Sequence, residues 1–380
     1  MSRKKTGSKR GNGEGNIYQH KDGRFVARVT GADGRRKAFY GRTRDEAAGR
    51  LNDALRSIRN GVSLPSDLLT VADFAAQWLK AIQSTVRPRT NEIYESLVRV
   101  HVIPRIGKIK LARLSPADLQ RVYADLTTAG LSPKSVRHVH VLIHNMLEKA
   151  VRWDVMIRNV ADLVEPPRVP PRDLVVLDGT QARAFLTACR GHRLEALFVL
   201  ALTTGARSGE LLGLSWDQVD LPAGTISIRR SLQELGGKLV LTEPKTRRSR
   251  RTVAIPAVAV EALRRHHVRQ LEESLRLGPA WRNEWNLVFT NEVGAPVDRH
   301  NLLPRDYRPL LAKAGLPTSL RFHDLRHIAA SLALGQGMPI PAVSEMLGHA
   351  DAAITLRVYA HAVPGVQRQV AQAMQAVLAG

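Results

Sequence analysis

Residues 322–361 read FHDLRHIAASLALGQGMPIPAVSEMLGHADAAITLRVYAH, and the rest of the chain is best read outward from them. The stretch has a helical pattern and gathers His323, Arg326, His349 and Tyr359. A phenol, an arginine and two imidazoles are a kit for breaking a phosphodiester without a metal. His323 and Arg326 stand three apart, so on a helix they share a face. Leu325 and Ile328 then point elsewhere and pack inward. Asp324 reads as a cap or hydrogen-bond partner and His327 as a satisfied histidine. Arg326 offers a planar fork suited to two phosphate oxygens. A tyrosine with a reference pKa of about 10 is a weak nucleophile until activated. Tyr359 alone therefore reads as an ordinary half-buried residue, and its company changes that.

What this chemistry still lacks lies upstream. Arg207 sits in TTGARSGEL, between an apolar helical run and a second helix. The glycine allows a sharp turn, and the helix start leaves N–H groups able to face an anion. A lone arginine there would pair with Glu210; two arginines on one phosphate would neutralise the charge of a pentacovalent transition state. Lys245 lies in PKTRRSRR, at the tip of a predicted strand-to-strand connection. A mobile tip can bring an ammonium to a leaving oxygen, help typically worth about 10²–10⁴-fold. The rest of that run, Arg247, Arg248, Arg250 and Arg251, reads as solvated phosphate contacts.

Bulk properties narrow the partner. The 380 residues contain 57 Lys and Arg against 34 Asp and Glu, a formal charge of +23, so a polyanion is expected and nucleic acid comes first. A membrane surface is the competitor, but no long basic amphipathic helix favours it. The single cysteine, Cys189, excludes a disulfide framework and reads as a small core residue. No signal peptide precedes the fold, which points to the cytoplasm. No HExxH, carboxylate cluster or GxxxxGK[ST] loop occurs, so neither metal, cofactor nor ATP is expected.

The chain divides by composition. Residues 1–15 form a basic tail without core-forming residues, either solvated or tracking DNA. Residues 16–61 carry three β-prone runs broken at Asp22-Gly23 and Asp33-Gly34, then a helix capped by Thr43 and Glu46. Arg24, Arg28, Arg35, Arg36 and Lys37 lie on its strands, a basic sheet able to enter a major groove or simply a solvated face. Residues 70–165 hold four helices, about Val71–Gln83, Arg89–Val102, Pro116–Thr127 and Pro133–Trp153. Thr70, Ser115-Pro116 and Ser132-Pro133 mark helix starts. Val136, Val139, Ile143, Met146, Leu147 and Ala150 repeat at helical spacing and should face a core. Lys134 and Arg137 fall elsewhere on that helix and join Arg87 and Arg89 as a candidate DNA-facing surface. A proline-rich break, EPPRVPPR, precedes residues 173–380. There a nearly all-apolar helix, LEALFVLALTTG, should be central. Ser215 and Gln218 should form a capping box, TISIRR through TVAIP should give three strands, and LVFT a short fourth.

Taken together, Arg207 in TGARSGEL, Lys245 in the hairpin, HDLRH, LGH and Tyr359 followed by Ala-His resemble the tyrosine recombinases, the phage integrase family. Each motif alone is weak; five in this order are specific. The resemblance extends upstream, where residues 16–61 look like an arm-type DNA-binding domain and residues 70–165 like the helical core-binding domain. It implies a multidomain fold: a small three-stranded α+β domain, an all-α domain, and a mainly α catalytic domain with a small antiparallel sheet. It implies that Tyr359 attacks the scissile phosphate and forms a 3′-phosphotyrosyl bond. Arg207 and Arg326 would hold the non-bridging oxygens, Lys245 would protonate the leaving 5′-oxygen, His323 would assist proton transfer and His349 would hydrogen-bond the phosphate. Double-stranded attachment sites and a tetramer acting through a Holliday junction are implied too. A directionality or DNA-bending factor would fit, though no motif names one. Two alternatives stand beside this: a type IB topoisomerase-like strand transferase, and a DNA-binding regulator that reads residues 340–360 as a helix-turn-helix. The second leaves Arg207, Lys245 and HDLRH unexplained.

Overall fold

The computed structural model describes residues 16–21, 23–30, 36–59, 69–170, 176–243 and 250–349, with a few single positions beyond. The chain separates into two compact units, residues 1–171 and 172–380. In the first, β1 (Asn16–Gln19), β2 (Phe25–Thr30) and β3 (Arg36–Gly41) form an antiparallel sheet in sequential order. The turn glycine Gly23 has φ +84°, as a tight hairpin requires. Helix α1 (Arg44–Arg59) covers one face, burying Ala47, Leu51 and Ala54 against Ala27 and Val29. Its start is as expected: Thr43 Oγ1 accepts from the Glu46 N–H, and the Glu46 carboxylate accepts from the Arg42 N–H.

The helical part of this unit runs α2 (Val71–Ile82), α3 (Pro88–Leu97), α4 (Ile103–Ile106), α5 (Pro116–Thr128) and α6 (Pro133–Arg152). A wider π turn, Val98–Val102, joins α3 to α4, so the expected 89–102 helix is a compound one. Capping boxes at Thr70–Asp73 and Ser115–Asp118 start α2 and α5, and Ser132 caps α6. All six apolar residues expected on the core face of α6 are completely buried.

The second unit is built around α8 (Glu195–Thr204), preceded by α7 (Gly179–Cys189). The apolar run of α8 is buried on every side, and Leu197, Phe198 and Leu200 have no exposed surface. Each such side chain contributes roughly 1.5–3 kcal/mol on leaving water. Around it pack α7, α10 (Ala257–Leu277) and α13 (Asp324–Gly335). Short α9 (Ser208–Leu212) follows α8, and α11 (Arg299–Leu302) and α12 (Arg308–Lys313) precede α13, with α14 (Ile340–Leu347) after it. Cys189 is buried in this core, and burial pushes its thiol up to about 12.

Three details correct the sequence expectations. The three-strand segment contains four strands, β5 (Thr225–Ile228), β6 (Ser231–Leu235), β7 (Lys238–Thr242) and β8 (Arg251–Ala254), with β4 (Val219–Asp220) before them. They form two sheets, β4-β5-β8 and the hairpin β6-β7, and no ladder runs through exposed Arg229 and Arg230. Ser215 makes no side-chain cap, because only a three-residue 3₁₀ turn follows it. LVFT is not a strand: it makes single bridges at Leu287 and Thr290, and its carbonyls are taken by side chains. His266 Nε2 lies 2.7 Å from the Val288 carbonyl, and Gln270 donates to the Leu287 and Val288 carbonyls. Those acceptors are satisfied without a neighbouring strand.

Candidate active site

Helix α8 ends at Gly205, which takes φ +61° as its left-handed cap. A Cβ there would lie 2.6 Å from Leu347 Cδ2, so glycine is required on both grounds. The chain then reverses into Arg207, at the start of α9. Arg207 is tied to Glu210 twice: its N–H donates to Oε2 at 2.9 Å and Nη1 to Oε1 at 2.8 Å. The side chain remains 43% exposed, so it can reach a ligand. Glu210 is 5% exposed. Burial alone would raise its carboxyl, but Arg251 and then Arg207 outweigh this and hold it below the usual carboxylate range.

Arg326 joins the two halves of the site. It is 3% exposed, on the first turn of α13. Nη1 donates to the Gly205 carbonyl and Nη2 to the Leu347 carbonyl, each at 2.7 Å. The first bond holds the turn leading to Arg207, and the second holds the end of α14 leading to His349. Leu325 and Ile328 are fully buried, as expected. Asp324 binds Arg321 through both oxygens, with Nη2 at 2.6 Å, and so is structural.

His323 is exposed at the head of α13, its ring 5.3 Å from that of His327 in an edge-to-face arrangement. Partial burial, then the charges of His327, Arg326 and Arg207, lower its pKa to about 4. His349 follows the left-handed cap Gly348, with Nδ1 2.7 Å from Thr355 Oγ1. Burial, then Arg326 and Arg207, lower it also to about 4. Both imidazoles are thus neutral near pH 7 and able to donate or accept a hydrogen bond. Arg207 and His323 line one rim of an open cleft of about 660 Å³, together with Arg299, Arg308 and Arg321. Four of the six expected catalytic residues, Arg207, His323, Arg326 and His349, are therefore brought together. Lys245 and Tyr359 lie outside the described residues, as do Arg247 and Arg248.

Among the expected DNA contacts, Arg24 and Arg28 are exposed on β2, their guanidiniums 5.5 Å from the Tyr40 ring and 5.2 Å from the Tyr18 ring. Arg36 and Lys37 belong to β3, their side chains outside the described residues, as is Arg35 altogether. Arg87 and Arg89 are exposed at the start of α3, where Arg89 pairs with Glu92 at 3.0 Å. Lys134 and Arg137 are exposed on α6. Among the described residues no helix is long and apolar enough to cross a membrane.

Two site residues escaped the sequence reading. Arg251 does not behave as a solvated phosphate contact: its side chain is 5% exposed and paired with Glu210 at 3.0 Å. The signal was present, because Arg251 precedes buried Val253 by two residues and the strand period puts both on one face. Thr355, completely buried, is the second, and nothing in its spacing announced a bond to His349.

Residues 175–364 match the phage integrase family, and residues 70–127 match the phage integrase N-terminal SAM-like domain. The chain is 32% identical over 370 residues to the tyrosine recombinase XerC-like protein of Caldanaerobacter subterraneus subsp. tengcongensis, covering 90% of this chain and 94% of that protein. It is 34% identical over 369 residues to an integrase of Streptomyces ambofaciens, covering 92% and 93%. In fold it is similar to the Tn1549 transposon integrase in complex with a circular intermediate DNA, with TM-score 0.67, 21% identity and coverage of 80% and 99%. A lambda integrase tetramer bound to a Holliday junction matches with TM-score 0.55 at 16% identity, over 92% and 96%. Motifs, fold and near-full-length relatives converge, and the chain belongs to the phage integrase family of tyrosine recombinases.

Proposed function

We propose that this chain cleaves and rejoins DNA at specific attachment sites to integrate or excise a mobile element. The observation that carries it is the pair of 2.7 Å bonds from Arg326 to the Gly205 and Leu347 carbonyls, which brings Arg207, His323, Arg326 and His349 around one site. Two guanidiniums and two neutral imidazoles suit a phosphate whose charge grows in the transition state. In this mechanism the Tyr359 oxygen attacks the scissile phosphorus. The bond to the 5′-oxygen breaks, that oxygen takes a proton from Lys245, and a 3′-phosphotyrosyl link remains. His323 assists proton transfer and His349 donates to a non-bridging oxygen. The link keeps the bond energy, so the 5′-hydroxyl of a partner strand can rejoin it.

Residues 16–61 would bind arm-type sites through Arg24, Arg28, Arg35, Arg36 and Lys37. Residues 70–165 would grip the core site through Arg87, Arg89, Lys134 and Arg137, and residues 173–380 would carry catalysis, with Arg247 and Arg248 on flanking phosphates. Four protomers would assemble on two duplexes, acting on DNA in the cytoplasm; the lambda integrase tetramer on a Holliday junction supports that arrangement. The test uses a nicked duplex built on the direct repeat flanking the coding sequence. The unaltered chain should trap a covalent protein–DNA adduct and Tyr359→Phe none. Specific binding without an adduct on any such site would favour the regulator instead.

A further inference from the structure

Arg251 occupies a place the mechanism above does not use. It opens β8, six residues after Lys245 in the sequence. Its Nη2 donates to Glu210 Oε2 at 3.0 Å, and its Nε donates to the Met346 carbonyl at 2.8 Å. The same Glu210 holds Arg207 by side chain and main chain. Met346 lies in the last turn of α14, three residues before His349. The guanidinium also lies against Gly348, where a Cβ would come within 2.8 Å of Nη1 and 3.1 Å of Cζ. Glycine at that cap, with φ +67°, lets the arginine pass under the turn. One buried side chain thus connects the strand that follows the Lys245 segment, the carboxylate that orients Arg207, and the turn that presents His349.

A buried arginine–carboxylate pair is poor evidence for stability, since desolvation offsets much of the attraction. What a planar fork does supply is fixed direction toward two acceptors at once. A solvated residue of a DNA-binding run would keep its guanidinium in water.

We propose that Arg251 is a positioning residue for strand cleavage, fixing through Glu210 the aim of Arg207 and through Met346 the placement of His349. The inference rests on the recombinase reading. With the full chain in excess over the nicked attachment-site duplex, adduct formation yields a rate constant and a final yield separately. Arg251→Ala is expected to lower the rate constant about 100-fold, as loss of an aligned donor does, with final yield and DNA affinity within about 2-fold. Placed on Arg207→Ala, the same change is expected to cost no more than about 10-fold, because part of its effect passes through Arg207. Arg251→Lys leaves a cation beside Glu210 without the fork; it is expected to fold normally and lose about 10-fold in rate. A fall in yield at an unchanged rate constant, an equal fold-loss in both backgrounds, or cleavage by both variants at the unaltered rate overturns the positioning role. If the unaltered chain itself forms no adduct, the recombinase reading fails instead.

Discussion

Glu210→Gln is the perturbation whose size the structure fixes best. The change is isosteric, so it opens no cavity, and its effect is electrostatic. Glu210 serves two guanidiniums of different exposure. The Arg207 partner is 43% exposed, and a pair of that kind is worth about 0–1 kcal/mol after screening. The Arg251 partner is 5% exposed, like Glu210 itself. Removing one member of a buried pair costs about 3–5 kcal/mol, because the other charge stays buried without compensation. The glutamine also brings an NH₂ to a place where only donors converge, since Arg207 N, Arg207 Nη1 and Arg251 Nη2 all point at the carboxylate. The buried pair therefore dominates, and the expected loss is about 3–5 kcal/mol. For a domain of 150–250 residues each kcal/mol moves Tm by roughly 2–4 °C, giving a fall of about 6–20 °C. Thermal unfolding followed by circular dichroism measures it. A fall below about 2 °C would show that the pair does not hold the site together, and the geometry assigned to Arg207 would lose its basis.

Acid should weaken the fold before most carboxylates titrate. His323 and His349 are both held at about 4, so the unfolded chain takes their protons near pH 6.5 and the folded chain only near 4. The stability they lend is complete above pH 6.5 and is lost as pH falls from there toward 4; urea midpoints unchanged between pH 7.5 and 5 would refute this. Gly205→Ala should cost about 2 kcal/mol or more and lower adduct formation, since it meets Leu347 Cδ2 at 2.6 Å as well as a φ of +61°. Gly191→Ala has φ +76° and open space around it, so it should cost about 1–2 kcal/mol from backbone strain alone; equal losses from the two would remove the collision as a cause. Lys245→Ala should lose about 10²–10⁴-fold in cleavage and regain it on a substrate with a 5′-bridging sulfur, whose thiolate leaves without a proton. No regain would count against Lys245 as the general acid.

What the residues declared in advance was mostly local. Capping signals at Thr70, Ser115 and Ser132 named three helix starts, because a cap is a contact between residues three apart. The core face of α6 was equally plain, since its period needs no partner to be read. Expectations failed where a distant segment decided the outcome. LVFT has the composition of a strand, yet His266 and Gln270 of α10 take its carbonyls. Arg251 stands in a run that reads as solvated, yet Glu210, 41 positions away, draws it inward.

The glycines of the two central motifs show the intermediate case, where a local rule and a distant contact meet. Gly205 in TGAR and Gly348 in LGH are both left-handed caps, one ending α8 and one ending α14. A helix end leaves carbonyls unpaired and carries partial negative charge. Two such ends facing each other would repel and strand their acceptors in the core. Arg326 resolves this by lying between them and donating to the Gly205 carbonyl and to that of Leu347, just before Gly348. Each cap then turns the chain toward the site, Gly205 two residues before Arg207 and Gly348 one residue before His349. The glycine in each motif was therefore legible as a helix end, and the arginine as a fork. That the fork closes on those two ends is what sets the active-site geometry. On this argument Arg326→Lys should misplace both Arg207 and His349, even though it keeps the charge. An ammonium lacks the planar spread that spans two carbonyls in fixed directions. Cleavage should fall about 100-fold or more, whereas a role limited to charge neutralisation would leave most of the rate intact.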